Sequence, residues 1–189
     1  IPLVDAKDRD TALYLFSARR VALLPVDPTE DPSLVTGKAQ STSQPTSVLQ
    51  FIGFNTAEGR LFSSAALRAA FSRGIDRETL VHAQLVQLAL AAQFPVSPLS
   101  PLYPDSLETA YSEEAVLEAL KEAGQDTGEE RELTLLVSAG DAFRAASARF
   151  IADHLSLLDW KIRVTALPWE EYLAALEAGE FDLYLGEVR

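Results

Sequence analysis

Cysteine is absent from the 189 residues, so the chain offers no disulfide framework, no thiolate metal site and no cysteine nucleophile. Methionine is absent too, the initiator included, which points to a processed or excised piece or to a start behind a removed leader. No signal-peptide pattern stands at Ile1. No apolar run approaches the roughly 20 residues that span a bilayer. Positive charge is scarce: 16 Lys and Arg against 28 Asp and Glu give a net charge of −12. Nucleic acid is held by clustered Lys and Arg, so this balance excludes it as a partner. The acidity itself reads as solubility. Lack of cysteine is compatible with export.

Reactive constellations are missing as well. There is no GxGxxG, no Walker loop and no GxSxG elbow. His82 and His154 fall in separate helical stretches without a ligand-like partner four residues on, so no metal site is expected. Glu129–Glu130 sits in a polar loop and Glu170–Glu171 in a first helical turn, where the helix dipole favours negative charge. Arg68, Arg73 and Arg77 surround a helix junction and read as solvated or paired. The chain is therefore expected to be no enzyme and to use no cofactor.

What is present is a folded α/β pattern, with an apolar fraction of 48%. It centres on SVLQFIGFNTAEGRLFSSAALRAAFSRGIDRETLV, residues 47–81. Val48, Leu49, Phe51, Ile52 and Phe54 leave almost no polar face, which predicts a strand covered on both sides. Asn55 and Gly59 bracket a turn. Leu67, Ala70 and Phe71 recur at helical spacing, Gly74 suits a stop, and Asp76 caps the next helix.

Before this hub, residues 9–17 read as a short helix and VALLP, residues 21–25, as a brief strand. Residues 27–44 are rich in Pro, Ser, Thr and Gly and form a connection, with room for a helical turn near Ser33. After it, the helix from Asp76 runs to about Gln84, and QLVQLALAAQF either extends it or bends into a strand. Pro95, Pro98, Pro101 and Pro104 recur at intervals of three with Tyr103 among them, favouring extended, partly polyproline-like backbone. That stretch serves as a rigid connector or as a preorganised loop lining a cleft.

From Tyr111 the pattern is regular. Ser112 caps a helix closed by Gly124, and residues 132–138 form a strand. Asp141 caps a longer helix to about Leu158, residues 161–167 form the next strand, and Pro168 opens a helix ending at Gly179. Residues 181–187 form a last strand. The result is β-α-β-α-β from Glu132, whose right-handed crossovers imply parallel strands with the one from Glu132 in the middle. A sheet of this kind rarely ends two residues past a strand, so more polypeptide is expected beyond Arg189. Trp160 and Trp169 flank the strand at 161–167 and either close its ends against the core or, with Tyr172, wall a ligand site. Glu187 and Arg189 follow the carboxyl end of a parallel strand, where open α/β sheets place ligands, or belong to a frayed terminus.

The order FIGFNT, LFSSAALRAAFSRGIDRETLV and a proline-rich loop resembles the oligopeptide-, dipeptide- and nickel-binding group of transporter solute-binding proteins, extracellular family 5. Phe54 and Asn55 match the family's strand end, Phe62, Leu67, Arg68 and Ala70 its middle, and Ile75, Asp76 and Arg77 its helix start. YSEEAVLEALKEAG and ALPWEEYLAALEAGEFDLYLGEV resemble its second half. Leu61 stands where proline is usual, Ser64 where aspartate is usual, and the glycine expected after the second helix is missing.

The resemblance implies a periplasmic-binding-protein type II-like lobe with a mostly parallel doubly wound sheet and helical insertions. Residues 1–45 would be the tail of a first lobe, with ALYLFSARRVALLPV as a helix–strand unit. Residues 46–189 would be the second, C-terminal lobe, cut before the chain returns to the first. The implied function is binding of a solute, an oligopeptide first of all, for import by an ABC transporter. Its partners would be permease subunits, and it would reach the membrane only through a missing anchor, as a cell-surface lipoprotein or a periplasmic protein. Cleft candidates are Asn55, Tyr103, Trp169, Glu187 and Arg189, with Phe54 and Asn55 as hinge. The rival readings are a freestanding, non-catalytic interaction or regulatory domain that reuses the lobe, and a hydrolase with its site elsewhere.

Overall fold

A computed structural model of the chain describes residues 3–26, 40–42, 46, 48–84, 88–104, 111–122, 131–140, 142–156 and 160–188. The chain divides into two compact units, Ile1–Pro45 and Thr46–Arg189. The expected turn near Ser33, the Gly124 stop, the Asp141 cap, the helix end at Leu158 and Arg189 lie outside the described residues.

In the first unit, α1 (Arg9–Ser17) starts where the Asp8 carboxylate accepts the Thr11 N–H at 2.8 Å. It ends in a turn with Arg19 at a positive φ of 58°. The strand expected at residues 21–25 is absent. A strand needs a neighbouring strand for its backbone groups, and VALLP has none among the described residues: Val21 N–H donates to Leu15 O of α1 at 3.3 Å, and Leu23 lies exposed.

The second unit is built on a four-stranded sheet: β1 (Leu49–Phe54), β2 (Arg131–Ser138), β3 (Trp160–Leu167) and β4 (Leu183–Val188), in the order β1-β4-β2-β3. β2 runs parallel to β3 from Arg131↔Trp160 to Ser138↔Leu167, and parallel to β4 at Leu135↔Leu183. The strand containing Glu132 thus lies between the other two parallel strands, as its crossovers require. β1 joins β4 antiparallel, from Leu49↔Val188 to Phe54↔Leu183.

Five helices follow from local signals. Ser64 Oγ accepts the Leu67 N–H to open α2 (Ala65–Arg73), and Asp76 Oδ1 accepts the Thr79 N–H to open α3 (Arg77–Gln84). Ser112 Oγ does the same for Ala115 at the start of α4 (Glu113–Glu122). Gly74 is needed for space rather than for φ: a Cβ there would meet Val116 Cγ2 at 2.8 Å. α5 (Ala142–Ser156) joins β2 to β3, and α6 (Trp169–Ala178) joins β3 to β4, ending on Gly179 in the left-handed region at φ 69°. The two crossovers run in opposite directions along the sheet, so right-handed connections put α5 and α6 on opposite faces.

The core lies on the α5 face. Leu133, Leu135, Val137, Leu183 and Leu185 pack there with Ile151 and Leu155 of α5, Leu67 and Phe71 of α2, and Val116 and Leu120 of α4. Phe54, Phe62, Phe71 and Trp160 form an aromatic knot, with ring centroids 4.9 to 6.3 Å apart. Trp160 therefore closes its strand against the core.

Two expectations are corrected here. β1 is half-buried along its whole length instead of sealed on both sides. It stands at the edge of the sheet: Ile52 and Phe54 pack on the core, while Phe51 and Gly53 point to the other face. The proline-rich stretch is a pair of consecutive turns instead of extended backbone. Its sequence repeats Ser-Pro-Leu at 97–99 and 100–102, and each serine takes two local bonds. Ser97 O and Ser100 O accept Ser100 N–H and Tyr103 N–H at 2.8 and 3.0 Å, and their hydroxyls accept Leu99 N–H and Leu102 N–H. Serine first and proline second is the turn-forming order, so serine overrides the proline period.

Candidate functional site

The carboxyl ends of β2, β3 and β4 lie at one end of the sheet, where open α/β sheets leave a crevice. There the Ala139 N–H donates to Leu167 O at 2.6 Å, tying the ends of β2 and β3 together. Beyond it Gly140 adopts φ 126°, open to any L side chain in space but not in backbone. Pro168 O accepts the Tyr172 N–H at 2.8 Å and starts α6 directly after β3.

Trp169 sits in the first turn of that helix, 53% exposed, and stacks on the Tyr172 ring at 5.7 Å and 24°. Tyr172 is buried, and its hydroxyl donates to Leu185 O of β4 at 3.0 Å. Burial, and then the neighbouring Tyr184, push that phenol above its usual range, with Arg144 opposing. Tyr172 thus fixes the start of α6 over β4 and holds the indole in place. Glu187 lies on β4 at the same end, paired across the sheet with Gln50 of β1, and Val188 pairs with Leu49.

Asn55 is at the other end. It follows Phe54, whose partner is Leu183, the first residue of β4. Its amide Nδ2 donates to Gly179 O at 3.2 Å and Phe181 O at 2.9 Å, its Oδ1 accepts the Ala57 N–H, and its own N–H donates to Asp182 O. Only 8% of the residue is exposed. Arg60 and Asp182 extend the knot, Asp182 Oδ2 accepting the Thr134 N–H at 2.9 Å and Oδ1 facing Arg60 at 3.8 Å. Both amide hydrogens of Asn55 are committed to the chain itself.

Tyr103 belongs to that half of the unit too. Its hydroxyl accepts the Gln93 N–H at 3.0 Å, and it lies close enough to Arg77 to oppose the lowering of that guanidinium's pKa by burial. Arg77 is clamped on Ser72 O, Ile75 O and Ser72 Oγ at the joint of α2 and α3. The next residue of that joint, Asp76, faces His154 in the last turn of α5, far from the carboxyl ends of the strands.

Of the five expected cleft residues, Trp169 and Glu187 lie at the carboxyl end of the parallel strands, Asn55 and Tyr103 are placed apart from them, and Arg189 is outside the described residues. Leu49, Gln50 and Val188 share the end with Trp169 and Glu187 without having been singled out. Only the antiparallel pairing of β1 with β4, a contact 139 positions apart in sequence at Leu49↔Val188, brings them there. Among the described residues no group of His, Asp or Glu could hold a metal ion, and no helix is long and apolar enough to cross a membrane.

Solved structures share this fold. NikA from Brucella suis in complex with Fe(III)-EDTA superposes with a TM-score of 0.65 at 18% identity over 75% of this chain. The oligopeptide-binding protein AppA from Bacillus subtilis, in complex with a nonapeptide, gives 0.65 at 24% over 75%. DppA from Helicobacter pylori, an ABC transporter-associated periplasmic binding protein in complex with the peptide STSA, gives 0.64 at 20% over 75%. The chain spans 30%, 31% and 27% of those three proteins, less than a third of each. Among curated protein sequences none matches significantly. The sequence profile described as bacterial extracellular solute-binding proteins, family 5, middle, matches residues 3–188, and the chain belongs to that family.

Proposed function

We propose that residues 46–189 are the C-terminal lobe of a peptide-binding receptor that feeds an ABC importer, and that the solute sits at the carboxyl end of the parallel strands. The observation that carries this is that a held, half-exposed Trp169 and the Gln50–Glu187 pair lie at the same end of the sheet. Edge-strand backbone and roomy side-chain pockets are how extended peptides are held. The family's extracellular character and the two peptide complexes among the similar structures support the same reading. Its mechanism is closure of two lobes over the solute, then docking on permease subunits. The receptor works outside the cytoplasmic membrane, free in a periplasm or held by a lipid anchor.

Hinge bending does not belong to Asn55 in this proposal. A hinge residue must change φ and ψ, and Asn55 is tied by four hydrogen bonds at the far end of β1. One side of a cleft cannot enclose a ligand, so the chain by itself binds weakly. Calorimetry with a tripeptide pool and with nickel–histidine chelate tests this. Peptide heats that saturate only above the micromolar range are expected. Saturable binding of the chelate with none of the peptides would overturn the peptide assignment.

A further inference from the structure

The strands of the sheet are joined unevenly. β1 pairs with β4 from Leu49↔Val188 to Phe54↔Leu183, and β2 with β3 from Arg131↔Trp160 to Ser138↔Leu167, but β2 and β4 pair at Leu135↔Leu183 and Leu136↔Tyr184 and then stop. Both strands run on past this seam, β2 to Ser138 and β4 to Val188. Val137, Ser138, Leu185 and Gly186 are all buried, so access of water does not explain where the pairing ends.

The hydrogen-bond register does. The Asn55 N–H donates to Asp182 O, which makes Phe54↔Leu183 a non-hydrogen-bonded antiparallel pair and turns the polar groups of Tyr184, Gly186 and Val188 toward β1. Those of Leu183, Leu185 and Glu187 face the other way, toward β2. Continued by one step, the parallel register gives Val137↔Leu185, and the bond that pair adds runs from the Ser138 N–H to Leu185 O. That carbonyl is already occupied. It accepts the hydroxyl of Tyr172, a 4% exposed residue of α6, at 3.0 Å. Beyond this point the strands separate: β2 is tied to β3 through the Ala139 N–H on Leu167 O at 2.6 Å, and β4 keeps to β1 as far as Leu49↔Val188. The sheet forks, and Tyr172 stands in the fork.

The geometry points to a two-state fork in which the Tyr172 hydroxyl and the Ser138 N–H compete for Leu185 O, and in which a solute at the carboxyl end of the strands holds the open, Tyr172-bonded state. Zipping exchanges one donor for another at the same carbonyl, so the two states differ by no more than the worth of a single hydrogen bond. The open state leaves Glu187 and Val188 with β1 alone, and the zipped state draws their ribbon against β2. Trp169 stacks on the Tyr172 ring. A solute against the indole therefore finds it in place while Tyr172 is bonded, and that difference is what lets the solute bias the equilibrium. The solute's part rests on the proposed site; the fork stands on the sheet alone.

A scalar coupling across the hydrogen bond, from the Ser138 amide nitrogen to the Leu185 carbonyl carbon, reads the zipped state directly in the ¹⁵N,¹³C-labelled chain. No coupling is expected in the unaltered chain, whose Ser138 amide should exchange with solvent at least about tenfold faster than that of the paired Leu136. In Tyr172→Phe the coupling should appear and Ser138 exchange should slow by about tenfold, the scale of one hydrogen bond. The indole signal of Trp160, 6% exposed in the aromatic knot, reports that the variant is folded. A tripeptide pool should then need about a tenfold higher concentration to shift the 186–188 amides of the variant. A coupling already present in the unaltered chain, a Ser138 amide as protected there as Leu136, or a folded Tyr172→Phe without the coupling would each overturn the fork and leave the peptide site standing. A zipped variant that takes up the pool at an unchanged concentration would overturn the solute's hold on the fork. No shift at 48–50 or 186–188 with the pool in the unaltered chain would overturn the peptide site, and with it that hold, while the coupling still decides the fork.

Discussion

The ring of Tyr184 lies across the backbone of Gly53, so close that a Cβ at position 53 would stand 2.0 Å from its Cε1 and 2.2 Å from its Cζ. Phe51 covers Gly186 in the same way two pairs further along, and the two rings meet edge to face. An aromatic residue opposite a glycine recurs in β-sheets because the ring shields the bare backbone. In this pair of strands the device is used twice, in opposite directions.

Gly53→Ala and Gly186→Ala should therefore each destabilise the second unit by about 1–3 kcal/mol, the usual cost of overpacking. Tyr184 has little freedom to turn away, since Phe51 and Phe181 both contact its ring. Urea denaturation followed by circular dichroism measures it. A Gly59→Ala control, with nothing within 4 Å of the added methyl but φ at 79°, separates backbone strain from the clash.

Asn55→Ala should cost about 1–3 kcal/mol, because it removes the side-chain donor from the part-buried Phe181 carbonyl and leaves Gly179 O with Arg60 alone. Asn55→Asp should be at least as damaging at neutral pH, where a carboxylate would face two carbonyl oxygens, and should recover on acidification. The same denaturation curves show both.

Asp76 and Tyr111 each tie stability to pH. Burial raises the Asp76 carboxyl, but the Thr79 hydroxyl and N–H and the charge of His154 outweigh it, and the group ends below its usual 3.8. A lowered carboxyl contributes stability above its unfolded value and loses it as pH falls through the folded one. Asp76→Asn should flatten the acid limb below 3.8. Tyr111 is pushed up to about 12 by burial, by its hydrogen bond to Glu113, and by the charges of Glu113 and Asp76. Its contribution is whole below pH 10 and lost as pH rises through about 12. Tyr111→Phe should remove that alkaline loss, read from the unfolding midpoint across pH 9 to about 12.

What the sequence made legible is what is decided within a few residues. Ser64, Asp76 and Ser112 cap helices through bonds three positions long. The order of the three parallel strands follows from the handedness of short crossovers. The roles of Asn55 and β1 were hidden because they depend on partners far along the chain: Asn55 bonds residues 124 and 126 positions away. An asparagine after a strand reads as a turn or a ligand contact, and nothing local says that its amide is a clamp. The Ser-Pro-Leu repeat was visible, yet the spacing of its prolines drew the reading toward extended backbone and away from the serines that close the turns. VALLP had the composition of a strand but has no strand partner among the described residues.

The central claim is the location of the solute, and mapping backbone and side-chain amide shifts on adding a tripeptide pool to the labelled chain tests it most directly. The expected result is movement of residues 48–50 and 186–188 and of the Trp169 indole, with the Asn55 side-chain amide and Tyr103 unmoved. Shifts centred on Asn55 and Tyr103, with the Trp169 end silent, would contradict it.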